Sequence, residues 1–214
     1  MLLPCRTTRT AWDTPGPRRP GHRAFTVIEL LVVIGVIAAL GSMLLPALGK
    51  ARLAARVSRA HGELRQMTLA IEMYHDRFHL FPPARTNCMT DDFYPMPHEL
   101  LDYDCTDQLP DDVFDPGDTY RYHAPGWGFV NESPRNYKIY VPQGFPSDWG
   151  IDVYHDQDSS PVKCAVWSVG PSGPKDKGDV LALHYPVPPR NWYPTEPDGI
   201  IVHYYWKECW HSSP

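Results

Sequence analysis

One carboxylate stands inside the longest apolar run of this 214-residue chain. Glu29 is the only charged residue between Phe25 and Leu48, and it lies one helical turn beyond Phe25. A charged side chain at the centre of a bilayer costs about 2.5–3.5 kcal/mol on insertion scales, so it needs a partner or a function. Glu29 is therefore the first candidate functional residue.

Cysteines give a second set of candidates. Cys5 lies in the N-terminal segment, and the other four are Cys88, Cys105, Cys164 and Cys209. An even number of cysteines in an exported domain favours two disulfides, with three possible pairings. The pairing of Cys88 with Cys105 would close the shorter loop. The pairing of Cys164 with Cys209 would join two predicted strands. Four free thiols are the alternative.

Two histidines have the spacing of zinc ligands on a helix. His75 and His79 are four residues apart, which places them one turn apart on a helical surface. The metalloprotease pattern requires glutamate after the first histidine, and this chain has Asp76, which is shorter by one methylene. We therefore interpret the pair as ordinary helix-surface histidines.

Charge and motif content exclude several classes of function. Residues 1–24 contain five arginines and one acid, and without them the formal charge falls from −5 to −9. Such an acidic remainder argues against nucleic-acid binding, which needs a basic surface. We find no nucleophile elbow, phosphate-binding loop or catalytic pair of acids. The sequence thus favours a protein that is not an enzyme.

Four regions would position these residues. Residues 1–24 form a basic leader, and residues 25–48 form an apolar span of about 36 Å as a helix, enough to cross a bilayer core of about 30 Å. Residues 49–84 are predicted to continue the span as an amphipathic helix. Residues 85–214, rich in proline and aromatic residues, form the head. The arginines before the span place the N-terminus in the cytoplasm and the head outside.

Periodicity predicts an α+β fold. Apolar residues recur at steps of three and four, giving one helical stripe: Leu53, Val57, Ala60, Leu64, Met67, Ile71, Tyr74 and Phe78. Pro82 and Pro83 are expected to end the helix. Strand-like runs occupy residues 137–141, 162–169 and 200–206. We expect one long helix, with its first half in the membrane, packed on a small antiparallel β-sheet with long Pro-rich loops.

The run Ala24-Phe-Thr-Val-Ile-Glu29-Leu-Leu, preceded by arginines, resembles the cleavage and methylation segment of type IV prepilins and pseudopilins. Pro46, 21 residues after Phe25, and the helix exit from Tyr74 to Pro82 are also similar to that family. The family usually has glycine before the cut, where this chain has Ala24.

The resemblance implies a processing site, an assembly contact and partners. A prepilin peptidase would cut between Ala24 and Phe25 and leave a new, often methylated, amino terminus on Phe25. Glu29 would then pair with the amine of a neighbouring subunit, so that each charge neutralises the other in lipid. The implied partners are the peptidase, other pilin or pseudopilin subunits and an inner-membrane assembly platform.

A loop in the head resembles a second feature of this family. The run Trp167-Ser-Val-Gly170 is similar to the Trp-Ser-Leu-Gly loop of major pseudopilins, which holds a structural calcium. Ca²⁺ takes six to eight oxygen ligands, several of which a Gly-rich backbone can supply. The candidate ligands are Ser172, Asp176 and Asp179. Two lysines between them, Lys175 and Lys177, favour the alternative of a plain surface turn.

The sequence as a whole favours a single-pass protein of the inner membrane with an extracytoplasmic head. It would be a structural subunit of a type II secretion pseudopilus or a type IV pilus-like filament. A stand-alone membrane-tethered protein whose acidic, aromatic head binds a ligand is the alternative. A tethered hydrolase is a third reading, which the lack of a catalytic motif disfavours.

Overall fold

A computed structural model describes residues 26–89, 92–147, 149–173 and 185–214. The chain divides into two compact units, one up to Pro46 and one from Ala47 to Pro214. The described part of the first unit is helical from Val27 onward. The second unit contains the rest of that helix and a head rich in β-structure. The predicted α+β class is confirmed.

Helix α1 comprises Val27–Phe78, which is 52 residues with Pro46 inside it. It ends because His79 adopts a left-handed conformation (φ 57°) and donates from its backbone N to the carbonyl of His75 at 2.7 Å. The helix therefore stops before Pro82, so the predicted boundary at residue 84 is too late. The local cap, and not the prolines, sets the end.

The described part of the head forms twelve strands and one short helix. The strands of its first half are β1 Ala84–Asn87, β2 Asp92–Phe93, β3 Asp111–Asp112, β4 Asp115–Thr119, β5 Arg121–His123 and β6 Gly126–Val130. Those of its second half are β7 Ser133–Tyr137, β8 Ile139–Gln143, β9 Trp149–Tyr154, β10 Val162–Ser168, β11 Ile201–Trp206 and β12 Cys209–Ser212. Helix α2 is Glu99–Asp102, and a 3₁₀ turn covers Pro189–Asn191.

The central sheet has the strand order β12-β11-β10-β5 and is antiparallel. Its two longest strands, β10 and β11, confirm the predictions for residues 162–169 and 200–206. Successive side chains of a strand point to opposite faces. Cys164 and Val166 of β10 face the core shared with α1, whereas Ala165 and Trp167 face a second core. The helical stripe supplies Ala60, Leu64, Met67 and Ile71 to the first of these cores, and Ala70, outside the stripe, joins them.

The head is more elaborate than the predicted small antiparallel sheet. A second four-stranded sheet has the order β2-β1-β6-β7, and β1 pairs with β6 in parallel. Two further two-stranded sheets join β3 with β4 and β8 with β9. The run predicted as one strand over residues 137–141 is divided between the end of β7 and the start of β8. The prediction of a single antiparallel sheet is therefore corrected.

Candidate functional site

The first turn of α1 is closed by reciprocal hydrogen bonds between Thr26 and Glu29. Thr26 donates to Glu29 Oε2 from its backbone N at 2.8 Å and from its hydroxyl at 2.9 Å. In return, the Glu29 backbone N donates to Thr26 Oγ1 at 3.2 Å. This is a capping box, which satisfies amide donors that a helix start leaves unpaired. The predicted processing residues, Ala24 and Phe25, lie outside the described residues.

Thr26 is a helix-capping residue that was not among the predicted site residues. A threonine followed three residues later by glutamate, just before an apolar run, is a recognised signal of a helix start. The sequence analysis interpreted Glu29 as a charge in an apolar segment that pairs with the amine of a neighbouring subunit, and not as part of a helix cap. The structure gives it a local partner as well, so its carboxylate both caps the helix and carries the charge.

The helical residues that follow Glu29 expose an apolar surface. An 18-residue window of α1 has a mean hydropathy of 2.5, and none of it is buried. The large exposed side chains of this stretch include Leu31, Ile34, Ile37, Leu40 and Leu44. Transfer of apolar surface from water is favourable by about 25 cal/mol per Å². Within the described part of the chain, this helix near the N-terminus is long and apolar enough to cross a membrane.

The site can hold one negative charge at the helix start and can pair with one cation. Both Thr26 bonds are made to Oε2 of Glu29. A carboxylate has about four lone-pair sites, so further donors can approach it. The positive end of the helix dipole also favours an anion in the first turn. Glu29 is thus stabilised by its own helix and is still able to accept an ammonium group.

A pair of histidines, one buried and one half-buried, joins α1 to the central sheet. His61 Nδ1 lies 3.1 Å from His203 Nε2, although 142 residues separate them. Burial, together with the neighbouring His61 and Arg65, lowers the pKa of His203 to about 4. Burial also lowers the pKa of His61, against a hydrogen bond with the Pro214 backbone that raises it. No spacing rule in the sequence points to this contact.

Asp112 organises the loop that follows β10. Its side chain is 1% exposed. Asp112 Oδ1 accepts from Ser168 Oγ at 2.7 Å and from the Phe114 backbone N at 2.9 Å, and Oδ2 accepts from the Val169 backbone N at 2.8 Å. Burial raises the pKa of Asp112, and these three hydrogen bonds oppose the rise. Asp112 was not among the predicted site residues.

The predicted calcium ligands fall into two groups. Asp176 and Asp179 lie outside the described residues. Ser172 is described, and its hydroxyl donates to Asp198 Oδ1. Among the described residues, no three histidine, cysteine or acidic side chains form a group that could hold a metal ion. Calcium binding in this loop therefore stays a prediction.

The structure holds neither predicted disulfide, and Cys88, Cys105, Cys164 and Cys209 are free thiols. Strand β11 lies between β10 and β12, so Cys164 and Cys209 are on strands two spacings apart, about 9.5 Å. A disulfide requires Cα atoms closer than about 7 Å. Cys88 is exposed, whereas Cys105 is buried in the core beneath α2.

The two histidines with zinc-like spacing have separate environments. His75 stacks on Phe81, with ring centroids 4.5 Å apart. His79 lies beyond the end of α1 in a left-handed conformation. The helical geometry on which the zinc spacing depends is therefore lost at His79.

The fold and site define a class: an α+β protein with one N-terminal apolar helix able to span a membrane and a β-rich head. Comparison with family models, curated proteins and solved structures finds no match.

Proposed function

We propose that this chain is a structural subunit of a type II secretion pseudopilus or a type IV pilus-like filament. The observation that carries the proposal is a single carboxylate, Glu29, in the first turn of α1, at the start of an otherwise apolar and uncovered stretch of that helix. It is anchored in the inner membrane by that helix, with the head on the extracytoplasmic side.

Processing creates the partner that Glu29 needs. A prepilin peptidase cuts between Ala24 and Phe25, and the new α-amino group is on the residue four positions before Glu29 in the sequence. The amine of one subunit then pairs with the carboxylate of its neighbour as the helices come together. A lone charge in lipid costs several kcal/mol, whereas a hydrogen-bonded pair offsets much of this cost. The capping box is consistent with this step because it presents the carboxylate at the helix start.

Two measurements test the proposal. Mass spectrometry of the mature protein should give Phe25 as the first residue. The Glu29→Ala variant should insert into the membrane as the wild type does, but should not assemble into cross-linkable multimers. Ser42→Ala is the matched control, because it removes a polar group from the same apolar stretch, where Ser42 Oγ donates to the Ala39 carbonyl at 2.7 Å. A different mature N-terminus, or normal multimers from Glu29→Ala, contradicts the proposal.

A second candidate function rests on the surface of the head. Trp127 is 75% exposed and Trp149 is 83% exposed, which is unusual for so large an apolar side chain. These residues favour a membrane-tethered binding protein whose head captures a ligand. Under this alternative, Glu29→Ala leaves ligand binding by the head intact, and Trp127→Ala or Trp149→Ala abolishes that binding. The two candidates therefore make opposite predictions for the same variants.

A further inference from the structure

The hairpin of β11 and β12 places two reactive side chains on one face. The strands are joined by a two-residue turn, in which Lys207 and Glu208 have φ values of 49° and 61°. The register pairs Trp206 with Cys209. Cys209 and His211 are two residues apart on β12, so their side chains point to the same side. Within the described part of its sheet, β12 is an edge strand, and Cys209 is exposed.

The thiol and the imidazole of this hairpin are in contact. Cys209 Sγ lies 3.1 Å from His211 Nε2. The carbonyl oxygen of Trp206 lies 3.2 Å from the same Nε2 and 3.6 Å from Sγ. The thiol donates to that oxygen, and once the imidazole has taken the thiol proton, its Nε2–H can donate to the same oxygen. A nucleophile within hydrogen-bond reach of a base is the usual arrangement of an activated side chain.

Aromatic packing fixes the imidazole in this position. The ring of His211 stacks on Tyr204, with centroids 5.4 Å apart and an interplanar angle of 16°. Its other neighbour is Trp206, at 5.2 Å. Tyr204 is 6% exposed and is itself stacked on Trp192. The base is therefore held by the core, while the thiol beside it remains accessible.

We propose that Cys209 and His211 form a nucleophilic dyad that reacts with disulfides by thiol–disulfide exchange. His211 Nε2 takes the proton of Cys209 as Sγ attacks one sulfur of the incoming disulfide. A new bond forms between Sγ and that sulfur, the original S–S bond breaks, and the leaving thiolate takes the proton. The products are one mixed disulfide and one thiol, so no other oxidant is required. This site is independent of Glu29 and of the assembly function.

The other described cysteines provide internal comparisons. Cys88 is also exposed, but it lies in the turn after β1, where its backbone N donates to Asn131 Oδ1 at 2.9 Å. Cys105 and Cys164 are buried. Burial raises the pKa of Cys164, which disfavours its thiolate. The dyad therefore predicts that Cys209 reacts faster than Cys88, and that both react faster than the buried Cys105 and Cys164.

The test follows each cysteine of the full chain in detergent, including Cys5. The protein is mixed with the aromatic disulfide 5,5′-dithiobis(2-nitrobenzoate) or with oxidised glutathione, quenched at intervals, and mapped by mass spectrometry. At pH 7, Cys209 should react about tenfold or more faster than Cys88 with either probe, since general base catalysis typically contributes at least that much. His211→Gln should remove this advantage and leave the rate at Cys88 unchanged.

A measurement on the wild type alone tests the proposal even if the variant misfolds. The ratio of the Cys209 and Cys88 rates should fall towards one as the pH rises above about 8.5, where an ordinary thiol ionises without help. Equal rates for the two cysteines at pH 7, a ratio that does not change with pH, or an unchanged Cys209 rate in a folded His211→Gln protein would each overturn the proposal.

Discussion

His61 Nδ1 and His203 Nε2 approach to 3.1 Å between α1 and β11, so one neutral imidazole donates to the other. His203 is 8% exposed, and Arg65 lies close enough to disfavour its protonated form. If both rings are protonated, both nitrogens become donors and the bond is lost. This contact therefore links the attachment of the helix to the protonation state of the pair.

The pair predicts that the head loses stability in acid. The pKa of His203 is about 4 in the folded chain and 6.5 in the unfolded chain. Between these values the unfolded chain binds a proton that the folded chain does not, so stability falls as the pH drops from 6.5 to 4. The full loss from His203 is about 3 kcal/mol.

Urea unfolding of the wild type at a series of pH values would measure this loss. His203→Gln should show a shallower dependence on pH between 6.5 and 4. His155→Gln is the matched control, because His155 is exposed, and it should follow the wild type. Equal slopes for His203→Gln and the wild type would count against a role of this pair.

Asp112 is predicted to be one of the most sensitive positions in the head. Asp112→Ala removes an acceptor from Ser168 Oγ and the Val169 backbone N, which would remain buried without it. The expected loss is about 3 kcal/mol, because unsatisfied buried donors each cost about 1–3 kcal/mol. Asp111→Ala, at the exposed neighbouring position, should change stability by less than about 0.5 kcal/mol. Denaturant unfolding compares the two, and similar values would contradict this role for Asp112.

The capping box and the charge of Glu29 can be separated by substitution. Glutamine also serves at this position of a capping box, so Glu29→Gln keeps the cap and removes the charge. Thr26→Ala keeps the charge and weakens the helix start by about 1 kcal/mol. We expect Glu29→Gln to insert but not assemble, and Thr26→Ala to assemble, as judged by cross-linking in membranes. The reverse pattern would assign Glu29 to capping alone.

Calcium binding at Ser172, Asp176 and Asp179 predicts a thermal shift. An ion bound only by the folded chain stabilises it by about 2.7 kcal/mol at a hundredfold excess over the dissociation constant. The melting temperature of the full chain in detergent should therefore be higher in millimolar calcium than in chelator. The double variant Asp176→Ala/Asp179→Ala should lose this difference, whereas Asp111→Ala should keep it. If the wild type melts at the same temperature in both buffers, the loop is a surface turn.

The elements that could be predicted from the sequence depend on local periodicity. The apolar run and the helical stripe predicted α1, and two apolar runs predicted β10 and β11. Residues three and four apart share a helical face whatever the rest of the chain does. The exit of the helix was misplaced because a left-handed His79, and not Pro82, ends it.

The head and its contacts required the tertiary structure. Ser168 meets Asp112 across 56 residues, and His61 meets His203 across 142. Strand β11 lies between β10 and β12. It therefore separates Cys164 from Cys209, which the sequence analysis had paired in a disulfide. By itself, therefore, the sequence determined the apolar span, its single carboxylate and the strands with a clear period. The tertiary structure decided which distant side chains meet, because strand order and burial depend on how separate segments pack together, and local spacing carries no record of that.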